Sequence, residues 1–596
     1  MAGTIKSREE IDAKYKWNLT HIYASDEAWE EAFEQMKGCA AEISAFSGRV
    51  AEDPKAAIRA YFNLEKRLTP LIEYAFLRKE ADNTDSKAQG LKDRAVGLIV
   101  QAQAAGAFLE PELLALPEAE LEALARDPEM GDYDAFLRTL RLNKPHTLSK
   151  DQEQLIASMG EVMNAPDDIF TALSSADMKL PPVTMPDGTT QELTEGNYST
   201  FIHDRDRSVR AQAFRNLMNT YESFGNTIAG TYGASVKKDQ FMALSHRYEN
   251  ARQAAMAPLE IPEAVYDNLI EAVHEALPAL QEYLRLRKQA LGVEELHMYD
   301  LYVPMVDGFD MTLPYEEAFE LVLKGLQPMG EDYLAKLREA RDNGWIDVYP
   351  TKGKSSGAFS SGSLAEVHPY VLLNHNDNLD SAFTIAHELG HSMHSFFSNT
   401  HQPFPKNDYS LFVAEVASIC NECVMMRYLL KTMTDRKAQA YLLNYYLEQF
   451  RTTCFRQTMF AEFEKISHEM AQQGIPLTKE SLSEKYYALN QQYYGESCQV
   501  DPEIAAEWMR IPHFYRAFYV YVYATGLCAA VSLSEKIINE GAPAVAQYRK
   551  FLSAGCSVPP IEALKLAGID MSQPEPLKKA MQVFAETVEK MKEVMG

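Results

Sequence analysis

The chain has 596 residues, a length that allows about four domains at roughly 150 residues each. Its 58 Lys and Arg stand against 85 Asp and Glu, a net charge of −27, which opposes any encounter with a nucleic-acid backbone or an anionic membrane surface. An apolar fraction of 46 % excludes global disorder, and a chain of this size buries a large core without covalent staples.

The opening MAGTIKSREEIDAKYKWNL has no apolar core behind its positive charges, so it does not read as a secretory signal. No apolar run reaches the roughly 18 residues of a membrane span. Seven cysteines, an odd number scattered from Cys39 to Cys556, do not make a disulfide framework and read as reduced thiols. The expectation is a cytoplasmic protein.

Most of the first 260 residues read as helix. In the run from Asp26 to Phe46 the apolar residues Trp29, Phe33 and Met36 recur at helical spacing, and DPKAAIRAYFNLEKRL repeats the pattern. The early β signal is KLPPVTMPDGTTQELT, where Pro186, Asp187 and Gly188 form a turn between two short β-prone runs and predict a hairpin. A domain boundary is expected after it: residues 1–200 as a helical N-terminal domain with the hairpin, residues 201–596 as a second, larger domain.

Helical patterns resume at Asn197 and the texture changes at Gly344. WIDVYP is a short strand, KGKSSGAFSSGS a Gly/Ser-rich loop, and VHPYVLLNH a second strand, one that could pair with an extended peptide by strand addition. Helices then continue to the closing run EPLKKAMQVFAETVEKMKEVM.

The chemistry concentrates in SAFTIAHELGHSMHSFF. On a helix His387 and His391 lie about 40° apart on one face, where both imidazoles can bind one Zn²⁺, and Glu388 projects at the edge of that face as a general base for a water at the metal. Asp380 stands at the start of the run as a capping residue. Chance alone can place two His around a Glu, but Ile385, Leu389, Met393 and Phe396 make the motif part of a buried helix, where unpaired ionisable groups are costly unless they bind something.

A catalytic zinc takes three protein ligands and keeps a fourth position open. His394 and Phe397 stand where a metzincin would have Gly and His, so that class is out. Glu415 lies 24 residues after His391 on the helical run LFVAEVASICNECVMMRYLL, which can fold back on the first helix. It is the expected third ligand. Glu422 falls within about 20° of Glu415 on the same face and is placed to orient a ligating imidazole. His394 is expected to pack, Cys420 and Cys423 to be structural thiols. His368 and His375 flank a strand, and the sequence leaves their role open.

The segment RIPHFYRAFYVYVYATG, Arg510 to Gly526, carries His513 with Tyr515, Tyr519, Tyr521 and Tyr523. Such an aromatic run is ordinarily core. Beside a hydrolytic metal site it also supplies hydrogen-bond donors for a developing oxyanion. Read as a helix, it puts Tyr515, Tyr519 and Tyr523 on one face and Tyr521 elsewhere.

HELGHSMH followed by FVAEVASICNE resembles the thimet-oligopeptidase-like zinc metallopeptidases. KWNLTHIYASDEAW, KGKSSGAFSS, FRQTMFAEFE and IPHFYRAFYVYVYATG resemble the oligoendopeptidase F branch of that family. The resemblance implies a mainly α, closed two-lobed helical shell around a deep channel, with one zinc per chain held by His387, His391 and Glu415. It implies Glu388 as the catalytic base, and His513 with Tyr519 and Tyr523 as binders of the scissile carbonyl. The implied activity is hydrolysis of internal bonds in oligopeptides. A dipeptidyl carboxypeptidase of the same superfamily and a non-catalytic helical peptide-binding protein are the alternatives. The sequence leaves the oligomeric state open.

Overall fold

The computed structural model describes residues 5–306 and 311–596, so the first four residues of the N-terminal segment read above lie outside it. The chain is mainly helical, with five short strands in two small sheets among the described residues. It divides into two compact units, each built from three stretches of chain.

The first unit comprises Met1–Thr147, Asp310–Leu429 and Ala530–Asp570. Its early helices form where the periodicity places them. Asp26–Met36 buries Trp29, Phe33 and Met36, and the helix Pro54–Ala81 starts on the Asp53 side chain, which accepts the N–H of Ala56. These residues join Leu64, Leu68, Leu71 and Leu98 in one apolar core.

Three strands follow in this unit: β3 (Ile346–Asp347), β4 (Phe359–Ser361) and β5 (Tyr370–Leu372). The spatial order is β3-β5-β4, with β5 parallel to β3 and antiparallel to β4. Two sequence expectations change here. Part of the Gly/Ser-rich loop is the strand β4, and β5 lies between two strands, so its edges are already paired and a peptide cannot add along Tyr370–Leu372.

Trp17, Arg8 and Glu73, from the unit's first stretch, hold this sheet in place together with Lys354. Trp17 packs edge-on against Tyr370 at 6.2 Å, Arg8 and Lys354 both pair with the buried Asp347 at 2.6 and 2.8 Å, and the buried Glu73 accepts the hydroxyls of Ser361 and Ser363.

The second unit comprises Leu148–Phe309, Leu430–Ala529 and Met571–Gly596. The predicted hairpin is there: β1 (Val183–Thr184) pairs antiparallel with β2 (Thr190–Gln191), and Gly188 adopts the positive φ, 84°, that its turn requires. The boundary expected near residue 200 falls inside this unit. The long helix Glu263–Leu291 packs against the closing helix Glu575–Met595, with Lys592 reaching Glu282 at 2.8 Å. Asp300, fully buried, is held by Arg207 and Arg210 at 2.8 and 2.6 Å. Removing Asp300 would leave the buried Arg210 guanidinium without its carboxylate, at a cost of about 3–5 kcal/mol, because that charge stays out of water.

All seven cysteines are free thiols and six are buried. Among the described residues no helix is long and apolar enough to cross a membrane.

Candidate metal centre

HELGH lies in the middle of the helix Leu379–His401. Asn378, not Asp380, caps it: its side chain accepts the N–H of Ser381 at 2.8 Å, because the cap must precede the first helical turn. The next helix, Leu411–Thr432, crosses the motif helix at Gly390. A Cβ there would stand 2.5 Å from Cα of Ser418 and 2.7 Å from the carbonyl oxygen of Ala417. Only a residue without a side chain allows this approach. The buried Asn421 clamps the crossing, donating to the Ala386 carbonyl at 3.0 Å and accepting from the Tyr333 hydroxyl at 2.9 Å.

That crossing sets Glu415 against the two imidazoles. Its Oε2 lies 3.4 Å from Nε2 of His387 and 3.4 Å from Nε2 of His391, and the two Nε2 atoms are 3.2 Å apart. Among the described residues this is the one group of three or more such side chains arranged to hold a metal ion. A tetrahedral ion with bonds of about 2.0–2.1 Å separates its ligand atoms by about 3.3–3.4 Å, so two nitrogens and one carboxylate oxygen stand at the distances that such an ion requires.

The surrounding groups orient this set. Nδ1 of His387 lies 2.6 Å from Oε1 of Glu422, and with the proton on Nδ1 the lone pair of Nε2 faces the other ligand atoms. The Ser418 hydroxyl donates to Oε2 of Glu415 at 3.0 Å. The electrostatics are those of a cation site. Burial alone would lower the His387 pKa, but hydrogen bonds to Glu415 and Glu422 and the charges of Glu422 and Glu388 outweigh it and raise it to about 10. Against the upward pull of burial, the two imidazoles hold the Glu415 carboxyl well below the usual carboxylate range. Glu388, 6 % exposed, is shifted upward by burial.

The neighbouring His residues have other work. His394 stacks on Tyr409 at 3.7 Å and is pushed down to about 3 by burial, so it packs as expected. His368 stacks on Trp345 at 4.6 Å, and His375 meets the Leu313 carbonyl at 3.1 Å. Cys420 and Cys423 are buried thiols. Strand β4 docks on the motif helix: Ser360 bonds Ser392 at 2.8 Å, and Asn399 donates to the Gly362 carbonyl at 2.8 Å.

His513, Tyr519 and Tyr523 belong to the second unit. They form a cluster of their own, with ring centroids 6.0 Å apart for His513 and Tyr523 and 5.4 Å for Tyr519 and Tyr523. The common helical face with Tyr515 does not form, because the helix begins only at Tyr521. Tyr515 stacks on Phe170 at 4.6 Å and its hydroxyl bonds Thr231 at 2.7 Å. Tyr521 packs on Tyr266 at 5.0 Å. Burial, with the charges of Arg456 and Arg516, lowers the pKa of His513, so its imidazole is neutral at pH 7.

Gly390, Ser418 and Asn421 escape a reading of the motif alone. The signal for the last two is their spacing from Glu415 on the second helix. For Gly390 it is a glycine between ligand positions in a helix interior, where it is otherwise unfavourable.

Residues 200–583 match the family described as Peptidase family M3, and residues 112–179 match Oligopeptidase F. The chain is 43 % identical to Oligopeptidase PepF of Bacillus subtilis over all of its own length and 89 % of the relative's. It is 38 % identical to Group B oligopeptidase PepB of Streptococcus agalactiae, covering 99 % of this chain and 98 % of that one. The crystal structure of oligoendopeptidase-F from Enterococcus faecium superposes with a TM-score of 0.73 at 35 % identity, over 96 % of this chain and 99 % of that one. A crystal structure from Chlamydophila abortus superposes at 0.94 with 31 % identity, over 99 % and 100 %. The chain therefore belongs to peptidase family M3, in its oligoendopeptidase F branch, and is a peptidase.

Proposed function

We propose that this protein is a zinc-dependent oligoendopeptidase that hydrolyses internal bonds of short unfolded peptides in the cytoplasm. The observation that carries the reading is the set of three ligand atoms, His387 Nε2, His391 Nε2 and Glu415 Oε2, at mutual distances of 3.2–3.4 Å. Two imidazoles and one carboxylate are the donor set of a catalytic zinc that keeps a position open. In sequence terms residues 201–596 are the metallopeptidase domain, in line with the family match over 200–583, and residues 1–200 accompany it.

Zinc bound there supplies Lewis acidity, polarising the scissile carbonyl and acidifying water. Glu388 takes the proton of the attacking water as its oxygen bonds to the carbonyl carbon, and returns it to the leaving amine as the C–N bond breaks. His513 and a tyrosine of the same segment, Tyr519 or Tyr523, donate hydrogen bonds to the carbonyl oxygen as its negative charge grows. Glu422 holds the His387 tautomer throughout.

The test is a quenched fluorescent peptide blocked by a C-terminal amide, assayed with parallel metal analysis. One zinc per chain is expected, together with internal cleavage that a chelator abolishes and zinc restores. Cleavage that persists without metal overturns the zinc reading. Cleavage only of peptides with a free C-terminus, two residues at a time, replaces the endopeptidase with a dipeptidyl carboxypeptidase.

A further inference from the structure

The helix Arg456–Gln472 turns one face toward the segment that carries His513 and Tyr519. Ala461, Glu464, Ser467 and His468 share that face at spacings of three and four. The Ala461 carbonyl accepts from the Tyr266 hydroxyl at 2.6 Å, and Ser467 bonds the Tyr232 hydroxyl at 2.6 Å. Tyr266 in turn packs on Phe518 at 5.8 Å and Tyr521 at 5.0 Å, and Tyr232 packs on Phe514 at 5.8 Å and Tyr515 at 6.2 Å. The His468 ring lies 4.6 Å from that of Phe518.

Glu464 sits amid these contacts, 0 % exposed. Neither of its oxygens has a hydrogen bond of ordinary geometry; the Phe518 N–H acts on it as a longer or bent donor contact, while the Tyr266 hydroxyl is already given to the Ala461 carbonyl. An apolar side chain would fill the space without the cost of desolvating a carboxyl. Phe518, the residue before Tyr519, has φ of 55°, in the left-handed region that a bulky side chain occupies only when its surroundings impose it.

We propose that Glu464 is a positioning residue for the proposed carbonyl-binding segment: its carboxyl takes the Phe518 N–H, fixes the left-handed turn at Phe518 and thereby aims the Tyr519 hydroxyl. This rests on the reading that His513 and Tyr519 donate to the scissile carbonyl. Burial pushes the carboxyl's pKa well above its ordinary value, and a glutamine reproduces its acceptor oxygen and its shape without a charge.

The test measures kcat, KM and metal content for Glu464→Ala, Glu464→Gln and Glu464→Asp, with His513→Ala and Tyr519→Phe alongside. Glu464→Ala is expected to lower kcat by about 10²-fold, the scale of a small misplacement of a reacting group, with KM and zinc content kept. Glu464→Gln restores most of kcat. If the alanine variant does not fold, Glu464→Asp decides: its carboxyl is withdrawn by one methylene, so kcat falls while the glutamine variant stays near the parent. Parental kcat in Glu464→Ala or Glu464→Asp, or a glutamine variant as impaired as the alanine one, overturns the positioning role. If the His513 and Tyr519 variants lose kcat while the Glu464 variants do not, the positioning role alone fails. If all of them keep it, the carbonyl-binding reading fails as well.

Discussion

Nδ1 of His387 lies 2.6 Å from Oε1 of Glu422 across the crossing of two helices, a contact between residues 35 positions apart that decides which imidazole nitrogen is left to bind a metal. Removing such a partner weakens metal binding by about 10–100-fold in other sites of this kind. Glu422→Ala is therefore expected to lower zinc affinity by that factor with the fold intact. Glu422→Gln, whose amide oxygen still accepts the Nδ1 proton, should fall between it and the parent. Competition against a chromophoric chelator measures both.

Glu388 and Glu415 are both carboxylates at the same site, and their variants should fail differently. Glu388→Gln keeps all three ligand atoms and so keeps zinc, but loses the proton acceptor, at a cost of about 10²–10⁴-fold in kcat. Glu415→Ala removes a ligand and should lose the metal together with activity. Zinc content and peptide turnover on the same preparations separate the two. Near-parental turnover in Glu388→Gln would mean that another group is the base.

For the second cluster, Tyr519→Phe and Tyr523→Phe delete one hydroxyl each and leave the 5.4 Å ring contact in place. A tyrosine that donates to the developing oxyanion is worth about 10²–10³-fold in kcat. One or both variants should show that loss with little change in KM. Unchanged kcat in both returns the cluster to packing.

Gly390 offers a test of the geometry itself. Adding a methyl group at a position where Cβ meets Cα of Ser418 at 2.5 Å must push the two helices apart, and overpacking of this kind costs typically about 1–3 kcal/mol. Gly390→Ala should lower the melting temperature and weaken zinc binding together, because the same displacement moves Glu415 away from the imidazoles. A variant with parental stability and parental affinity would show that the crossing has slack.

These residues also mark how far the sequence can be read. The helical spacing of His387 and His391 and the reach to Glu415 are local or nearly local properties, and both appear in the fold as expected. The meaning of Gly390 is not local, since it depends on which backbone crosses it. The same holds for β5: its content says strand, but only the three-dimensional order β3-β5-β4 shows that its edges are used. The misreading of Tyr515 has a related cause. A spacing of four places it on a helical face only if a helix is present, and the Pro512 turn and the left-handed Phe518 delay the helix until Tyr521. The units, each assembled from three separate stretches, cannot be seen in composition along the chain.

His394 lies three residues beyond His391, and its behaviour with pH should distinguish a packing residue from a fourth ligand. Burial holds it neutral in the folded state, with its pKa pushed down to about 3, whereas in the unfolded chain it titrates near 6.5. Below pH 6.5 the unfolded state therefore binds a proton that the folded state refuses. The stability this residue contributes is complete above pH 6.5 and is lost as pH falls toward 3, at about 1.4 kcal/mol per pH unit. His394→Phe keeps a flat ring against Tyr409, 3.7 Å away in the parent, and removes the titrating group. Denaturant unfolding from pH 7 down to pH 4 is expected to show a shallower loss of stability than the parent, with zinc content and kcat at pH 7 retained. Loss of zinc in this variant would instead make His394 a ligand.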